Sequence, residues 1–209
     1  MFDIALQIFV TMFVIIDPIG LTPMFIGLSA GAPKSYRKRM AIRAVIFGGL
    51  ILFFFALIGH EFLGLLGIEM TSFRIAGGVM LFLSGLEMVF GKRTSRRSEK
   101  ANEFNSDEEL EDISVFPLAI PFLAGPGSIT SIMLLMEKHD GSFFAQSLVL
   151  GVTAGVLLIS LFLFFMSERL EKIMGETVSS IFSRILGVLL AALASQYIVD
   201  GIRVALINH

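Results

Sequence analysis

The sequence predicts an all-α polytopic membrane protein: six transmembrane helices as two inverted three-helix repeats, with helices 1 and 4 broken. Three observations carry that prediction. The 209 residues are 55% hydrophobic, with a mean hydropathy of +0.84, too apolar for a soluble domain of this size. Six apolar runs reach or approach the roughly 20 residues that cross a bilayer. A Gly/Pro interruption falls once in each half. The first is Ile16-Asp17-Pro18-Ile19-Gly20-Leu21-Thr22-Pro23 and the second is Ala124-Gly125-Pro126-Gly127-Ser128-Ile129-Thr130-Ser131. At an offset of 108, Pro18 lies over Pro126, Gly20 over Ser128, Leu21 over Ile129 and Thr22 over Thr130. Proline lacks an N–H and glycine adds backbone entropy, so both interrupt a continuous helix. Paired interruptions in two halves mark a transporter binding site.

Helix 1 is predicted over Ile4–Leu28, broken near Asp17 and ended by Gly31-Ala32-Pro33. A basic turn follows (Lys34, Arg37, Lys38, Arg39, Arg43), then helix 2 over Ala44–Leu66, with His60 and Glu61 at its outer end. Gly67–Arg74 reads as a turn and Ile75–Phe90 as helix 3, interrupted late by Glu87. Residues 91–112 are polar, basic first and acidic after, and read as a solvated, disordered connection. Helix 4 is predicted over Ser114–Met136, broken at Gly125-Pro126-Gly127. Helix 5 spans Phe143–Met166, with Gly151 and Gly155 assigned to helix packing. Glu168–Glu176 reads as a charged turn before helix 6 over Ile181–Val199. The domain boundaries that follow are a first repeat at 1–91, a cytoplasmic connection at 92–112 and a second repeat at 113–209.

Lysine and arginine concentrate in the 1–2 turn, the 3–4 connection and the 5–6 turn. The positive-inside rule places those in the cytoplasm and both termini outside. Three helices per half is an odd number, so the second half enters from the opposite side. Shorter matches keep the same order: Arg74-Ile75-x-Gly77 over Arg184-Ile185-x-Gly187, Gly91 over Gly201 and Gly67 over Gly175. Met1-Phe2-Asp3 lacks a basic n-region, so no cleavable signal peptide is predicted.

A broken helix exposes orphan C=O and N–H groups, which inside a membrane must be buried in protein or line a wet cavity. The substrate-binding candidates are Asp17, Gly20 and Thr22 at the first break, and Gly125, Gly127, Ser128 and Thr130 at the second. The N–H ends suit a carboxylate, with Ser128 placed as an N-cap. The C=O ends and Asp17 suit an ammonium or a cation, so a small zwitterion fits. A charged residue at mid-helix costs about 2.5–3.5 kcal/mol on insertion scales, which favours a role for Asp17. The blander alternative is that Asp17 caps or braces its broken helix. Asp17 and Glu87 are the candidates for coupling to H+ or Na+. Arg74 and Arg184 are expected to snorkel to the interface.

There is no cysteine, and no metal or nucleotide-binding motif. No enzyme activity, resident cofactor or nucleic-acid partner is expected. The expected partners are the lipid bilayer and a small-molecule substrate, and Gly151-x-x-x-Gly155 permits a homo-oligomer.

Several stretches resemble the MarC family of integral membrane proteins. They are Asp17-Pro18-Ile19-Gly20 with Pro23-x-Phe25, Ser72-Phe73-Arg74-Ile75-Ala76-Gly77-Gly78, Pro117-Leu118-Ala119-Ile120-Pro121-x-x-Ala124-Gly125-Pro126-Gly127-Ser128-Ile129, and Arg184-x-x-Gly187 through Asp200-Gly201-Ile202. The resemblance implies a six-helix protein of a bacterial or archaeal inner membrane. It further implies transport of glycine, alanine or similar solutes, because some members are described as small neutral amino acid transporters. A channel lined by the orphan carbonyls and a non-transporting scaffold or partner subunit are the competing readings.

Overall fold

Proline and glycine divide the apolar runs where the sequence places them, and charged residues extend two helices beyond those runs. The computed structural model describes residues 2–29, 32–92 and 114–207, and among these every regular element is helical. In chain order these are α1 (Phe2–Ile16), α2 (Pro18–Leu28), α3 (Lys34–Leu65), α4 (Met70–Val89), a π-helical α5 (Ser114–Leu123), α6 (Pro126–Lys138), α7 (Phe143–Phe165) and α8 (Ser167–Ile207). Among the described residues five stretches are long and apolar enough to cross a membrane: Phe2–Leu28, Lys34–Leu65, Met70–Val89, Phe143–Phe165 and Ser179–Ile207. The protein is a polytopic membrane protein. The predicted connection at 92–112 lies, except for Lys92, outside the described residues.

Two predicted turns are helical instead. The basic residues 34–43 form the first turns of α3, because lysine and arginine are good helix formers and Pro33 supplies the stop upstream. The charged stretch Glu168–Glu176 lies inside the 41-residue α8, and the α7–α8 turn contracts to Met166. Glutamate, lysine and arginine have high helix propensity, so this charge run continues the helix rather than forming a turn. One repeat match weakens as a result: Gly67 leaves α3 at φ 68°, whereas Gly175 is helical.

The core has two parts. The larger packs α1, α2 and α3 with α5, α6 and α7, around side chains such as Met12, Phe25, Leu52, Leu123 and Phe164. The smaller joins α1, α4 and α8 through Ile15, Leu81, Met88 and Leu190. Large apolar residues on the outer faces, such as Leu57, Leu158 and Val199, are about 60% exposed and form lipid-facing surface.

The α4–α8 interface is a glycine seam. A Cβ added at Gly85 would lie 2.9 Å from the Ala191 nitrogen and the Gly187 oxygen; one at Gly187 would lie 2.8 Å from the Gly85 oxygen. Gly78 and Gly201 extend the seam against 194–198 and 71–75. Two backbones thus meet without intervening side chains, the close approach that small residues permit between membrane helices. Gly151 and Gly155 do not pack against another described helix of this chain: nothing lies within 4 Å of a Cβ at either position. Their i,i+4 spacing gives the right periodicity, but that face of α7 points away from the rest of the chain.

Candidate functional site

At the first break the backbone changes direction at one residue. Asp17 has φ 54° and ψ 61°, the left-handed conformation that aspartate tolerates better than most side chains. It ends α1 by donating its N–H to the Phe13 oxygen (2.9 Å), and its own oxygen receives the first bond of α2 from the Leu21 N–H (2.9 Å). Its carboxylate caps α2, accepting the Gly20 N–H on Oδ1 at 3.0 Å. That N–H is thereby withdrawn from the Ile16 carbonyl, and Pro18 has no N–H to offer Val14. Asp17 is 1% exposed.

Two serines of α8 complete this break, and neither is among the candidates read from the sequence. Ser183 Oγ lies 3.3 Å from Asp17 Oδ2 and 3.5 Å from Oδ1. Ser179 Oγ donates to the Ile19 carbonyl at 3.4 Å. In a regular helix that carbonyl would receive the N–H of residue 23, but residue 23 is proline. The legible signal was two hydroxyls four residues apart, hence on one helix face. Gly20 admits the arrangement by having no side chain, since a Cβ there would collide with the Asp17 carboxylate and lie 2.6 Å from Ser183 Oγ. Thr22 is buried and its hydroxyl donates back to the Pro18 oxygen at 2.9 Å.

The second break is built differently. Pro117 and Pro121 carry no N–H, and the chain through α5 winds loosely, with the Ala124 N–H reaching the Ala119 oxygen at 2.9 Å. Gly125 is extended (φ −81°, ψ 169°) and is itself the N-cap of α6; Pro126 occupies the first helical turn. Ser128 is therefore not the N-cap expected of it: it lies inside the first turn of α6, buried, and no side chain caps that helix. Gly127 fits between α4 and α1, where a Cβ would stand 3.1 Å from Leu81 and 3.9 Å from Ile15. The start of α6 is thus set beside the end of α1, and the two breaks adjoin. Thr130 is buried with its methyl against Gly77 of α4. Among the described residues Ser131 Oγ and Thr153 Oγ1 are buried without a hydrogen-bond partner, a state costing about 1–3 kcal/mol per group.

Glu87 lies on α4 six residues beyond Leu81, about 9 Å along the axis. Arg74 does not simply snorkel to the interface: its guanidinium pairs with Glu137 at the end of α6. Arg184 lies beside Gly91. A cavity of about 310 Å³ adjoins the Arg74–Glu137 end, lined by His60, Glu61, Met133, Glu137, Asp140 and Gln146 among others. Met133 is one turn beyond Thr130, so this cavity lies over the α6 limb of the paired breaks.

Next to that cavity, His139 caps the end of α6. Burial, and then the neighbouring Lys138 charge, hold its imidazole below the usual value of 6.5. The unfolded chain takes up this proton first as pH falls, so stability is lost below about pH 6.5. The expected result is a melting temperature that falls between pH 7.5 and 5.5, with a shallower fall in His139→Gln, measured by thermal unfolding in detergent.

The described residues contain no group of three or more His, Cys, Asp or Glu side chains able to hold a metal ion. The site's chemistry is one buried carboxylate, several hydroxyls and two helix termini.

Comparison with known proteins agrees with the stretches noted above. The family model described as "MarC family integral membrane protein" matches residues 2–206. A UPF0056 membrane protein of Methanocaldococcus jannaschii is 38% identical over 201 residues, covering 95% of this chain and 96% of that protein. The UPF0056 membrane protein YvbG of Bacillus subtilis is 32% identical over 203 residues, covering 97% and 96%. YhcE of Escherichia coli is 30% identical over 205 residues, covering 97% and 93%. These names state a membrane setting and no activity. No solved structure matches. The chain belongs to the MarC family of integral membrane proteins.

Proposed function

We propose that the chain is a secondary transporter of small solutes, with small neutral amino acids such as glycine or alanine as the substrate class. Transport proceeds by alternating access at a site between the paired breaks. One observation carries this reading: the end of α1, which leads into the buried Asp17, lies beside the start of α6, a helix N-terminus without a side-chain cap, through Ile15 and Gly127. A zwitterion matches that pair, with its ammonium toward Asp17 and its carboxylate toward the N–H groups of α6. Gly20, Gly125 and Gly127 restrict the space to a small ligand, and Thr22, Ser128 and Thr130 supply hydroxyls. The unpartnered hydroxyl of Ser131 adds a polar group beside Thr130. Asp17 takes the coupling H+ or Na+, with Glu87 as a relay. No catalytic role and no resident cofactor enter this reading.

The architecture belonging to this proposal has six spans, with α5 and α6 together forming the fourth, in two inverted repeats at 1–91 and 113–209 joined by 92–112. The packing supports it. α2 packs on α8 as α6 packs on α4, α1 on α7 as α5 on α3, and α2 on α7 as α6 on α3. Those pairings exchange under a two-fold relation between the halves. The positive-inside rule then sets both termini outside a bacterial or archaeal inner membrane.

Proteoliposome uptake tests the proposal. Labelled glycine or alanine should accumulate saturably under a proton or sodium gradient. No saturable uptake under either gradient would remove the amino-acid assignment. A structural reading also has a specific observation in its favour, because the Asp17 carboxylate is engaged by Gly20 and Ser183. In that reading the protein is a membrane scaffold and Asp17 only a cap.

A further inference from the structure

The 310 Å³ cavity beside Glu137 also includes Gln146, near the start of α7. A second cavity, of about 480 Å³, lies at the other end of the same helix, with Phe164 and Phe25 in its wall. From Leu148 to Phe164, α7 carries only two polar side chains, Thr153 and Ser160; Ser147, before them, is exposed. Gln146, Thr153 and Ser160 are each seven residues apart, so they form one stripe that drifts about 20° per step. The stripe covers about 21 Å at 1.5 Å per residue, and Phe164 stands one turn beyond it. A polar line thus runs along an apolar helix from one cavity to the other.

That line faces the bundle. Thr153 and Ser160 are 0% exposed, whereas Leu158 is 62% exposed. One turn beyond Thr153, Leu157 packs on Gly49 of α3. Phe164 stacks on Phe25 at 4.7 Å. Counting back from that pair, Thr153 lies about 17 Å along α7 and Asp17 about 12 Å along α2, so the hydroxyl and the carboxylate sit at similar depth. The two hydroxyls of the line differ in their bonding. A helical serine or threonine can satisfy itself on the carbonyl four residues earlier. Thr22, Ser29, Ser160 and Ser195 do so, at 2.9, 2.7, 3.0 and 2.9 Å. Thr153 does not: among the described residues its hydroxyl has no partner, on its own helix or any other. Threonine in a helix has a rotamer that makes the backward bond, so the helix itself does not impose this state.

We infer that the line Gln146–Thr153–Ser160 forms one wall of the route between the two cavities, and that Thr153 Oγ1 hydrogen-bonds the hydrated solute at its midpoint. The ligand class is a small solute with hydrogen-bonding groups, the class of the transport reading, on which this inference rests for the identity of the cargo. Neither Thr153 nor Ser160 lines either cavity. The route is therefore closed at mid-membrane in this state, as alternating access requires.

The chain has no cysteine, so single cysteines report directly on water access. The thiolate is the reacting form, and apolar surroundings suppress it. The test places Thr153→Cys and Ser160→Cys, each in the full chain, in proteoliposomes and follows reaction with 2-aminoethyl methanethiosulfonate by intact mass. Leu190→Cys, in the smaller core, and Leu158→Cys, on the lipid face, are the controls. Both cysteines on the line should react at least about tenfold faster than either control, which corresponds to one pKa unit of thiol suppression. The mass readout needs no substrate, so it stands even where glycine and alanine uptake fails. Thr153→Cys reacting no faster than Leu190→Cys would overturn the inference. Reaction at Thr153→Cys without reaction at Ser160→Cys would show an isolated polar pocket and overturn the route. Thr153→Val gives a second measurement. It keeps the side-chain shape and loses no protein hydrogen bond, so its melting temperature should not fall while uptake slows. A lower melting temperature would assign the hydroxyl a structural bond and count against its contact with solute.

Discussion

Asp17→Asn is expected to leave the protein as stable as wild type and to abolish uptake of its substrate. The asparagine oxygen can still accept the Gly20 N–H, and asparagine is at home in the left-handed conformation of residue 17. What it removes is the negative charge. Asp17→Ala removes the cap as well and places a Cβ-bearing residue without a polar side chain at φ 54°. Losing the cap costs about 0.5–2 kcal/mol and the left-handed backbone about 1–2 kcal/mol, so Asp17→Ala should melt clearly lower. Asp17→Gly loses the same side-chain cap but relieves the left-handed backbone, so it should fall between the other two. Melting temperature therefore ranks Asn, then Gly, then Ala, whereas uptake is lost in all three. Wild-type uptake in Asp17→Asn would show that the carboxylate is a cap alone and remove it from the substrate and ion sites.

Valine at Gly85 or Gly187 is expected to prevent α4 and α8 from closing. The new side chain would meet backbone, which cannot rotate aside as a side chain can. The cost should reach about 3 kcal/mol, the upper end for overpacking, and show as lost monodisperse protein on size exclusion. Gly151→Val is the control: nothing surrounds that position, so its stability should stay within about 0.5 kcal/mol of wild type. Equal tolerance at all three glycines would mean that the seam is not closed in the native protein.

The breaks were legible in the sequence because their cause is local. Pro18 and Pro126 lack an N–H wherever the chain goes, and adjacent glycines mark a change of backbone direction. Which group repairs each break was not legible. Ser183 is 166 residues from Asp17, and only the packing of α8 on α2 brings the two together. The cap at the second break was misplaced for a related reason. Ser128 has the right side chain for an N-cap, but Gly125-Pro126 starts α6 earlier and carries Ser128 into the first turn. The charge runs at 34–43 and 168–176 mark where apolar surface ends, which is not where helices end. Glycine spacing alone could not separate the α4–α8 seam from the outward face of α7, because both follow helical periodicity.

The contribution of α8 also sets an order of assembly. α4 is synthesised roughly a hundred residues before the end of α8, a delay on the order of ten seconds at ~5–20 residues per second. Through that interval the glycine face of α4 has only lipid beside it, and Asp17 and the Ile19 carbonyl lack the hydroxyls of Ser183 and Ser179. A nascent chain interrupted before α8 thus carries an intramembrane carboxylate without the Ser183 hydroxyl and an α4 face without α8. The arrival of α8 is the step that closes both the break at Asp17 and the glycine face of α4.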